Sequence, residues 1–332
     1  MNEIYEKLEK NQHLSIKEAE QLALDILNRA DDEDFTKKYI EALINKGEHE
    51  AELIGFINVL LKKSVIINHD CEHLLDVCGT GGSGKDRFNI STTIAMLCAS
   101  FGIAVAKHGN VGSVKKNGSF DFLEALHIHS AENTGQAIKQ LKNHHLCFLF
   151  AKRFHPVLKQ LAAVRKKIAK RSIFNIIGPL CNPANPTHQI VGCTHMQTAE
   201  KIARTLQYLG RKKAIVVVGN DKIDELCPQG LNELILVTPN NIRKSTLQAS
   251  DLDISIDPYP IGNINENADL FHKVFSTGNS SHPLAKHTAF SAALAIWMMN
   301  KEKNIKQAYI RAIKQIESKA FYNFYLKIKQ SF

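Results

Sequence analysis

The residues with the clearest chemical pattern are Gly79, Thr80, Gly81 and Gly82, which follow the apolar run Leu74 to Cys78 and precede Asn89, Ser91 and Thr92. A glycine, lacking Cβ, lets backbone N–H groups close on phosphate oxygens, and a helix N-terminus favours the same negative charge. Leu74 to Cys78 has the length of a strand, and Ile94 to Ala99 reads as an apolar helix with cap-forming residues at its front. Strand, glycine loop and helix start together form an anion cradle. The run Gly79 to Lys85 nearly satisfies the nucleotide phosphate loop, which continues from Gly-Lys into Ser or Thr to hold magnesium. Asp86 stands at that position, and its carboxylate would repel phosphate, so the pattern argues against ATP hydrolysis.

A second donor-rich segment follows the apolar run that begins at Ile103: Lys107-His108-Gly109-Asn110, then Gly112, Ser113, Lys115, Lys116, Asn117, Gly118 and Ser119. Ligands of parallel α/β sheets bind beyond the carboxyl ends of the strands, so two such loops after consecutive strands face one site. A charged ligand is expected there. Asp224-Glu225 lies beyond another apolar run, Ile215 to Gly219. Magnesium takes a few carboxylate oxygens together with water and substrate phosphate, and an acidic pair in that place suits it. An isolated Asp-Glu would otherwise read as a solvated turn.

Several motifs agree in order. Asp76…Gly79-Thr80-Gly81-Gly82, Asn89-Ile90-Ser91-Thr92, Lys107-His108-Gly109-Asn110, Arg171-Ser172-Ile173-Phe174-Asn175 and Gly178-Pro179-Leu180…Asn182-Pro183 closely resemble the anthranilate phosphoribosyltransferase family of tryptophan biosynthesis. The likeness extends through Cys147 to Ala151, His155-Pro156, Val164-Arg165-Lys166 and Asp224-Glu225, and so covers nearly the whole chain.

The resemblance implies attack by the amine of anthranilate on the anomeric carbon of phosphoribosyl pyrophosphate, giving N-(5-phosphoribosyl)anthranilate and pyrophosphate. Catalysis of that kind is largely positioning and leaving-group stabilisation. No residue is assigned as acid or base; Lys107 and Asn89 would position the transition state. Gly79, Thr80, Gly81, Gly82, Asn89, Ser91, Thr92, Lys107 and Ser119 would hold the donor. Gly79, His108, Asn110, Arg165, Gly178 and Pro179 would hold anthranilate, with Arg165 on its carboxylate. Ser91, Asp224 and Glu225 would hold Mg2+. A homodimer through the N-terminal helices is implied as well.

The match departs from the family in the site loops. Ser83 replaces a usual Asp, Val111 a usual Arg, and Val114 and Lys115 stand at places usually small or hydroxylic. Such changes would alter metal dependence, rate or acceptor. Two further readings stay open: a related pyrimidine nucleoside phosphorylase, and a non-catalytic relative that binds nucleic acid. The second draws on a formal charge of +9 and on eight Lys or Arg without an Asp or Glu between Lys152 and Arg171. A basic run serves nucleic acid, a phosphorylated small molecule or plain solvation equally well.

Composition sets the frame. At 332 residues, 44% hydrophobic and 23% charged, the chain is an ordinary globular protein with room for two domains. No run approaches eighteen apolar residues and no leader pattern opens the chain, so a cytoplasmic protein without a membrane span is expected. Seven scattered cysteines read as free thiols.

The elements that must carry these residues are a small N-terminal α-helical domain and a large α/β domain with a mostly parallel central sheet flanked by helices. The helical domain spans 1–70, with some later helical segments joining it, and 71–332 forms the α/β domain that binds the phosphoribosyl donor. Ser15-Ile16-Lys17-Glu18 spells a capping box before the stripe Ala19, Leu22, Ala23, Ile26 and Leu27. Strands are predicted over Leu74–Cys78, Ile103–Lys107, Leu146–Phe150, Gln189–Cys193 and Ala214–Val218. Helices are predicted over Ser119–Leu126, Thr134–Leu141, Pro156–Ile168, Thr198–Leu209, His287–Met299 and Ile305–Ser318, and an irregular polar stretch over Ile242–Asn267.

Overall fold

The computed structural model describes residues 1–332 apart from Asp86, Ser113, Val114, Lys115 and Ala169 and the side chain of Arg165. Four helices open the chain, α1 (Asn2–Glu9), α2 (Ile16–Asn28), α3 (Glu33–Lys46) and α4 (Glu50–Lys62). The capping box forms: the Glu18 N–H donates to Ser15 Oγ at 3.3 Å, and the Ser15 N–H donates to Glu18 Oε2 at 2.9 Å. Helix α4 crosses α2 closely at Gly55, where a Cβ would stand 2.6 Å from that of Ala19.

The remainder alternates strand and helix: β1 (Leu75–Gly79), α5 (Ile90–Ser100), β2 (Val105–Gly109), α6 (Ser119–Ala125), α7 (Thr134–His144), β3 (Leu146–Phe150), α8 (Ala151–Phe154), α9 (Ala162–Ile168), α10 (Ile173–Ile177), β4 (His188–Gly192), α11 (Met196–Tyr208) and β5 (Lys213–Val218). It closes with β6 (Asn232–Thr238), β7 (Asn241–Leu247), α12 (Ile264–Phe275), α13 (Pro283–Met298), α14 (Ile305–Glu317) and α15 (Ala320–Ser331). The seven strands run in the order β3-β2-β1-β4-β5-β6-β7. Strands β1 to β5 are parallel, and β6 and β7 add an antiparallel edge. The chain winds outward from β1 to β3 and then returns to β4 on the other side of β1. The strand order therefore reverses between β1 and β4, and parallel α/β sheets bind ligands beside such a switch point.

Both faces of the sheet are covered. On one, α5 and α13 form the centre of a core in which α13 is buried nearly all round, with α12, α14 and α15 outside it. On the other, α11 lies against β5 and β6, and the apolar stripes of α2, α3 and α4 continue the same core. Helices α9 and α10 pack on α3 and α4.

Four differences from the sequence reading have physical reasons. Ile242–Leu247 belongs to edge strand β7, where Arg243, Lys244 and Thr246 are exposed, so the apolar signal of a strand is missing. The helix expected over Pro156–Ile168 is a 3₁₀ turn, Pro156–Lys159, followed by α9, and the break leaves Leu161, Val164 and Ile168 all buried. Strand β2 runs to Gly109, two residues past the expected end at Lys107, so His108 is a buried strand residue instead of a loop residue. Helix α12 also starts inside the expected polar stretch, because Asn263 Oδ1 accepts the N–H groups of Asn265 and Glu266.

The core holds two histidines as neutral rings. His287 lies between the Leu226 carbonyl at 2.8 Å and the Tyr259 hydroxyl at 2.7 Å, and burial pulls its pKa down to about 4. Burial, aided by His73 and Lys213, does the same to His188. Both folded values lie below that of an unfolded histidine, about 6.5, so the unfolded chain takes up protons first as pH falls. The contribution is complete above about pH 6.5 and is lost between there and about pH 4. The melting temperature, followed by circular dichroism, is expected to drop across that window, and to drop less steeply in His287→Gln than in the wild type.

Candidate active site

A cavity of about 650 Å³ opens over the carboxyl ends of β1 and β2 and brings three loops and the helical layer together. Gly79 to Lys85 and the start of α5 form one wall, and Lys107 to Gly112 with Asn117 to Ser119 form the second. Asp224 and Glu225 close one end, and Leu60, Leu158, Phe174 and Ile177 supply an apolar flank.

What allows this convergence is the absence of side chains at three strand ends. A Cβ on Gly79 would lie 2.5 Å from Asp224 Oδ2, one on Gly192 would overlap the Asp224 carbonyl, and one on Gly219 would overlap the Glu225 carbonyl. Gly79 and Gly192 are register partners at the ends of β1 and β4. The loop after β5 thus lies flat across neighbouring strand ends and delivers the acidic pair to the glycine loop. Gly81, Gly82 and Gly84 have φ of 68°, 85° and 68°, the left-handed region that glycine enters without penalty. Arg171 fills the space a Cβ on Gly82 would need.

Two of the expected phosphate donors are already engaged. The Thr80 N–H donates to the Gly192 carbonyl at 2.9 Å, and the Gly81 N–H donates to Asp224 Oδ2 at 2.6 Å. The first ties the loop to the sheet; the second puts a carboxylate on an amide of the anion cradle.

Lys107 is 2% exposed, and its ammonium donates to the Val77 carbonyl at 2.7 Å and to Ser91 Oγ at 3.4 Å. Burial lowers its pKa, against the opposing field of Asp76. Asp76 is itself fully buried and accepts from the His108 N–H at 3.4 Å and from Gln189 Nε2 at 3.2 Å. Gln189 Oε1 in turn accepts from the buried Arg211 at 3.1 Å. A buried charge is tolerated only with partners of this kind. The Val77 carbonyl and Ser91 hold the Lys107 ammonium at the edge of the cavity.

Asn89 is the residue before α5, but its side chain does not cap the helix. Its Nδ2 reaches the carbonyls of Asn117 and Gly118 at 3.0 and 3.3 Å and joins the two donor loops. Asn89 Oδ1 and Thr92 Oγ1 are buried without partners. Ser119 opens α6 and donates to the Asn110 carbonyl at 3.2 Å, and Asn110 Oδ1 accepts the Val111 N–H at 2.9 Å. His108 is pushed down to about 3, chiefly by burial and then by His155, whose ring meets it edge-on at 5.2 Å. It is therefore neutral, and its Nε2 is buried and unpaired. Gly178 and Pro179 line the cavity in a 3₁₀ turn after α10. Ser83 Oγ accepts the Lys85 N–H at 3.3 Å. The Arg165 side chain and Val114 lie outside the described residues.

Arg87 has no place in the sequence reading. Its guanidinium bridges the acidic pair, with Nη2 2.6 Å from Asp224 Oδ1 and Nη1 3.5 Å from Glu225 Oε2. Burial pushes the Glu225 carboxyl up to about 7 against the pull of Arg87. Asp224 Oδ1, Arg87 Nε and Arg87 Nη1 are buried without a well-formed hydrogen bond. Among the described residues no group of three or more His, Cys, Asp or Glu gathers for a metal. Two carboxylates facing a phosphate cradle, one with an oxygen that has an ion pair and no well-formed hydrogen bond, fit magnesium, which leaves its other positions to water and substrate oxygens. The only sequence hint of Arg87 is its place in the charged run Lys85-Asp86-Arg87 between cradle and helix.

Comparison with known proteins places this geometry. The family described as glycosyl transferase family, a/b domain, matches residues 71–320. The anthranilate phosphoribosyltransferase of Bacillus thuringiensis subsp. konkukian (strain 97-27) is 35% identical over 321 residues, 96% of this chain and 94% of that one. The crystal structure of anthranilate phosphoribosyltransferase from Thermus thermophilus superposes with a TM-score of 0.90 at 27% identity, covering 98% of each chain. The Saccharomyces cerevisiae enzyme in complex with PRPP and Mg shares the fold, with a TM-score of 0.88 at 20% identity over 99% of this chain and 98% of that one. The chain belongs to the anthranilate phosphoribosyltransferase family.

Proposed function

We propose that the protein transfers the 5-phosphoribosyl group from phosphoribosyl pyrophosphate to the amine of anthranilate, with Mg2+, in tryptophan biosynthesis. The observation that carries this reading is the meeting of a glycine loop, a buried lysine and an acidic pair at the end of β1, beside an apolar slot. The first three recognise a polyphosphate and its metal, and the slot takes an aromatic ring.

Each group has a task in this reading. The free amides of the cradle, with Asn89, Ser91 and Thr92, receive the pyrophosphate, and Ser119 binds the other phosphate end. Lys107 stabilises the charge that grows on the leaving group, at a site where low dielectric strengthens the interaction. Asp224 and Glu225 hold magnesium, which neutralises the pyrophosphate when bound. Anthranilate lies between Gly79, His108, Asn110, Gly178 and Pro179, with Arg165 on its carboxylate. The weakly basic amine is unprotonated of itself, and a neutral His108 adds no positive charge beside it. Residues 1–70 together with α9 and α10 form the helical domain through which two cytoplasmic chains pair.

The basic run between Lys152 and Arg171 does not favour nucleic acid. Arg153 donates to the Ala131 carbonyl at 3.0 Å, Lys167 pairs with Glu33, and Arg171 donates to the Thr80 carbonyl at 3.4 Å. Those charges point to separate partners.

Mixing the purified protein with anthranilate, phosphoribosyl pyrophosphate and magnesium is expected to quench anthranilate fluorescence, and the double variant Asp224→Asn/Glu225→Gln is expected to abolish the quenching. Wild-type protein that leaves anthranilate intact overturns the reading. Arg165→Ala is expected to raise the anthranilate KM at least about tenfold, the worth of one charge-assisted contact, with little change in the donor KM; equal effects on both would remove Arg165 from the acceptor site.

A further inference from the structure

The acidic pair of the site holds two groups that are themselves anion binders. Asp224 Oδ2 occupies the Gly81 N–H of the cradle at 2.6 Å, and Asp224 Oδ1 occupies the Arg87 guanidinium, also at 2.6 Å. Arg87 spans to Glu225 with its other terminal nitrogen, and its side chain is 20% exposed, open to the cavity it lines. A guanidinium is a fork suited to phosphate as much as to carboxylate. Without ligand, the protein thus keeps a carboxylate where a phosphate would be bound and a cation where a metal would be bound.

Building on the donor and metal reading above, we propose that Arg87 is the resident counter-ion of Asp224 and Glu225 and a pyrophosphate-binding residue, and that metal and pyrophosphate exchange places with these internal partners. The divalent ion takes the carboxylates, which frees Arg87 and the Gly81 amide for the pyrophosphate. Neither ligand alone resolves the charges: metal alone must displace Arg87, and pyrophosphate alone must face Asp224. Each therefore strengthens the other, and by linkage the strengthening is reciprocal. Arg87 stands outside the predicted site residues, and a bridge to both carboxylates is its role in the ligand-free chain.

The test is a pair of calorimetric titrations on the intact protein, one with Mn2+ alone and one with inorganic pyrophosphate in chelator, for wild type, Arg87→Gln and Lys244→Gln. Lys244 carries the same charge on β7, outside the cavity, and pairs with Glu200. Arg87→Gln is expected to bind Mn2+ about tenfold more tightly and pyrophosphate about tenfold more weakly, the scale of one close charge contact, while Lys244→Gln shifts either by no more than about twofold. An Arg87→Gln protein with wild-type Mn2+ affinity, or a Lys244→Gln protein that shifts equally, overturns the inference. Arg87→Lys keeps the charge without the fork; should the neutral variant not fold, weaker pyrophosphate binding by the lysine variant supports the inference and unchanged binding overturns it.

Anthranilate consumption by the same wild-type preparation separates the two claims. Consumption with equal Mn2+ affinity in wild type and Arg87→Gln overturns the counter-ion role alone. Tighter Mn2+ binding by Arg87→Gln with no consumption in the wild type overturns the transferase reading alone.

Discussion

The site depends on one steric constraint: the loop carrying Asp224 and Glu225 lies across the ends of β1, β4 and β5 because Gly79, Gly192 and Gly219 have no side chains to meet it. A methyl group at Gly192 or Gly219 would overlap a carbonyl of that loop, and backbone atoms cannot move aside as a flexible side chain can. With the loop in place, the Asp224 carboxylate reaches the Gly81 amide, and the glycine loop and acidic pair become one site. The parallel register of β1 and β4 sets the two glycines side by side, so the sheet itself levels the shelf.

Charge on that shelf is arranged in opposed pairs. Lys107 rests on the Val77 carbonyl in the field of the buried Asp76, and Arg87 pairs with Asp224 and Glu225 at the rim of the cavity. Burying an ion without a partner costs several kcal/mol, of order the stability of a whole domain, so each cation of the ligand-free site needs its polar partners. The arrangement suits a ligand of high charge. A pyrophosphate arriving with its metal brings both signs at once and meets partners of both signs already in position.

Much of this was legible in the sequence. Strands β3 and β5 are buried on both faces and read as plain apolar runs, and the glycine loop before a helix start spells its own chemistry. The N-terminal stripes likewise pack as their spacing requires. Other features depend on contacts that no local pattern encodes. Gly192 and Gly219 each end a strand in the ordinary way, and only the path of a loop far along the chain makes them necessary. Arg87 reads as one charge in a charged run until the fold sets it between two carboxylates. His108 reads as a loop residue because polar side chains are rarely buried in a strand, and β7 escapes a sequence reading because an exposed edge carries polar residues. The amides of Thr80 and Gly81 read as free donors, yet the fold commits both.

The central claim is that the glycine loop and the acidic loop form a single donor site. Hydrogen–deuterium exchange of the intact protein, with and without phosphoribosyl pyrophosphate and magnesium, tests it most directly. The account predicts that exchange slows together in Gly79–Lys85 and in Ile223–Leu226 while β7 is unchanged. Protection that leaves Ile223–Leu226 untouched, or that appears only along the basic run from Lys152 to Arg171, would contradict it.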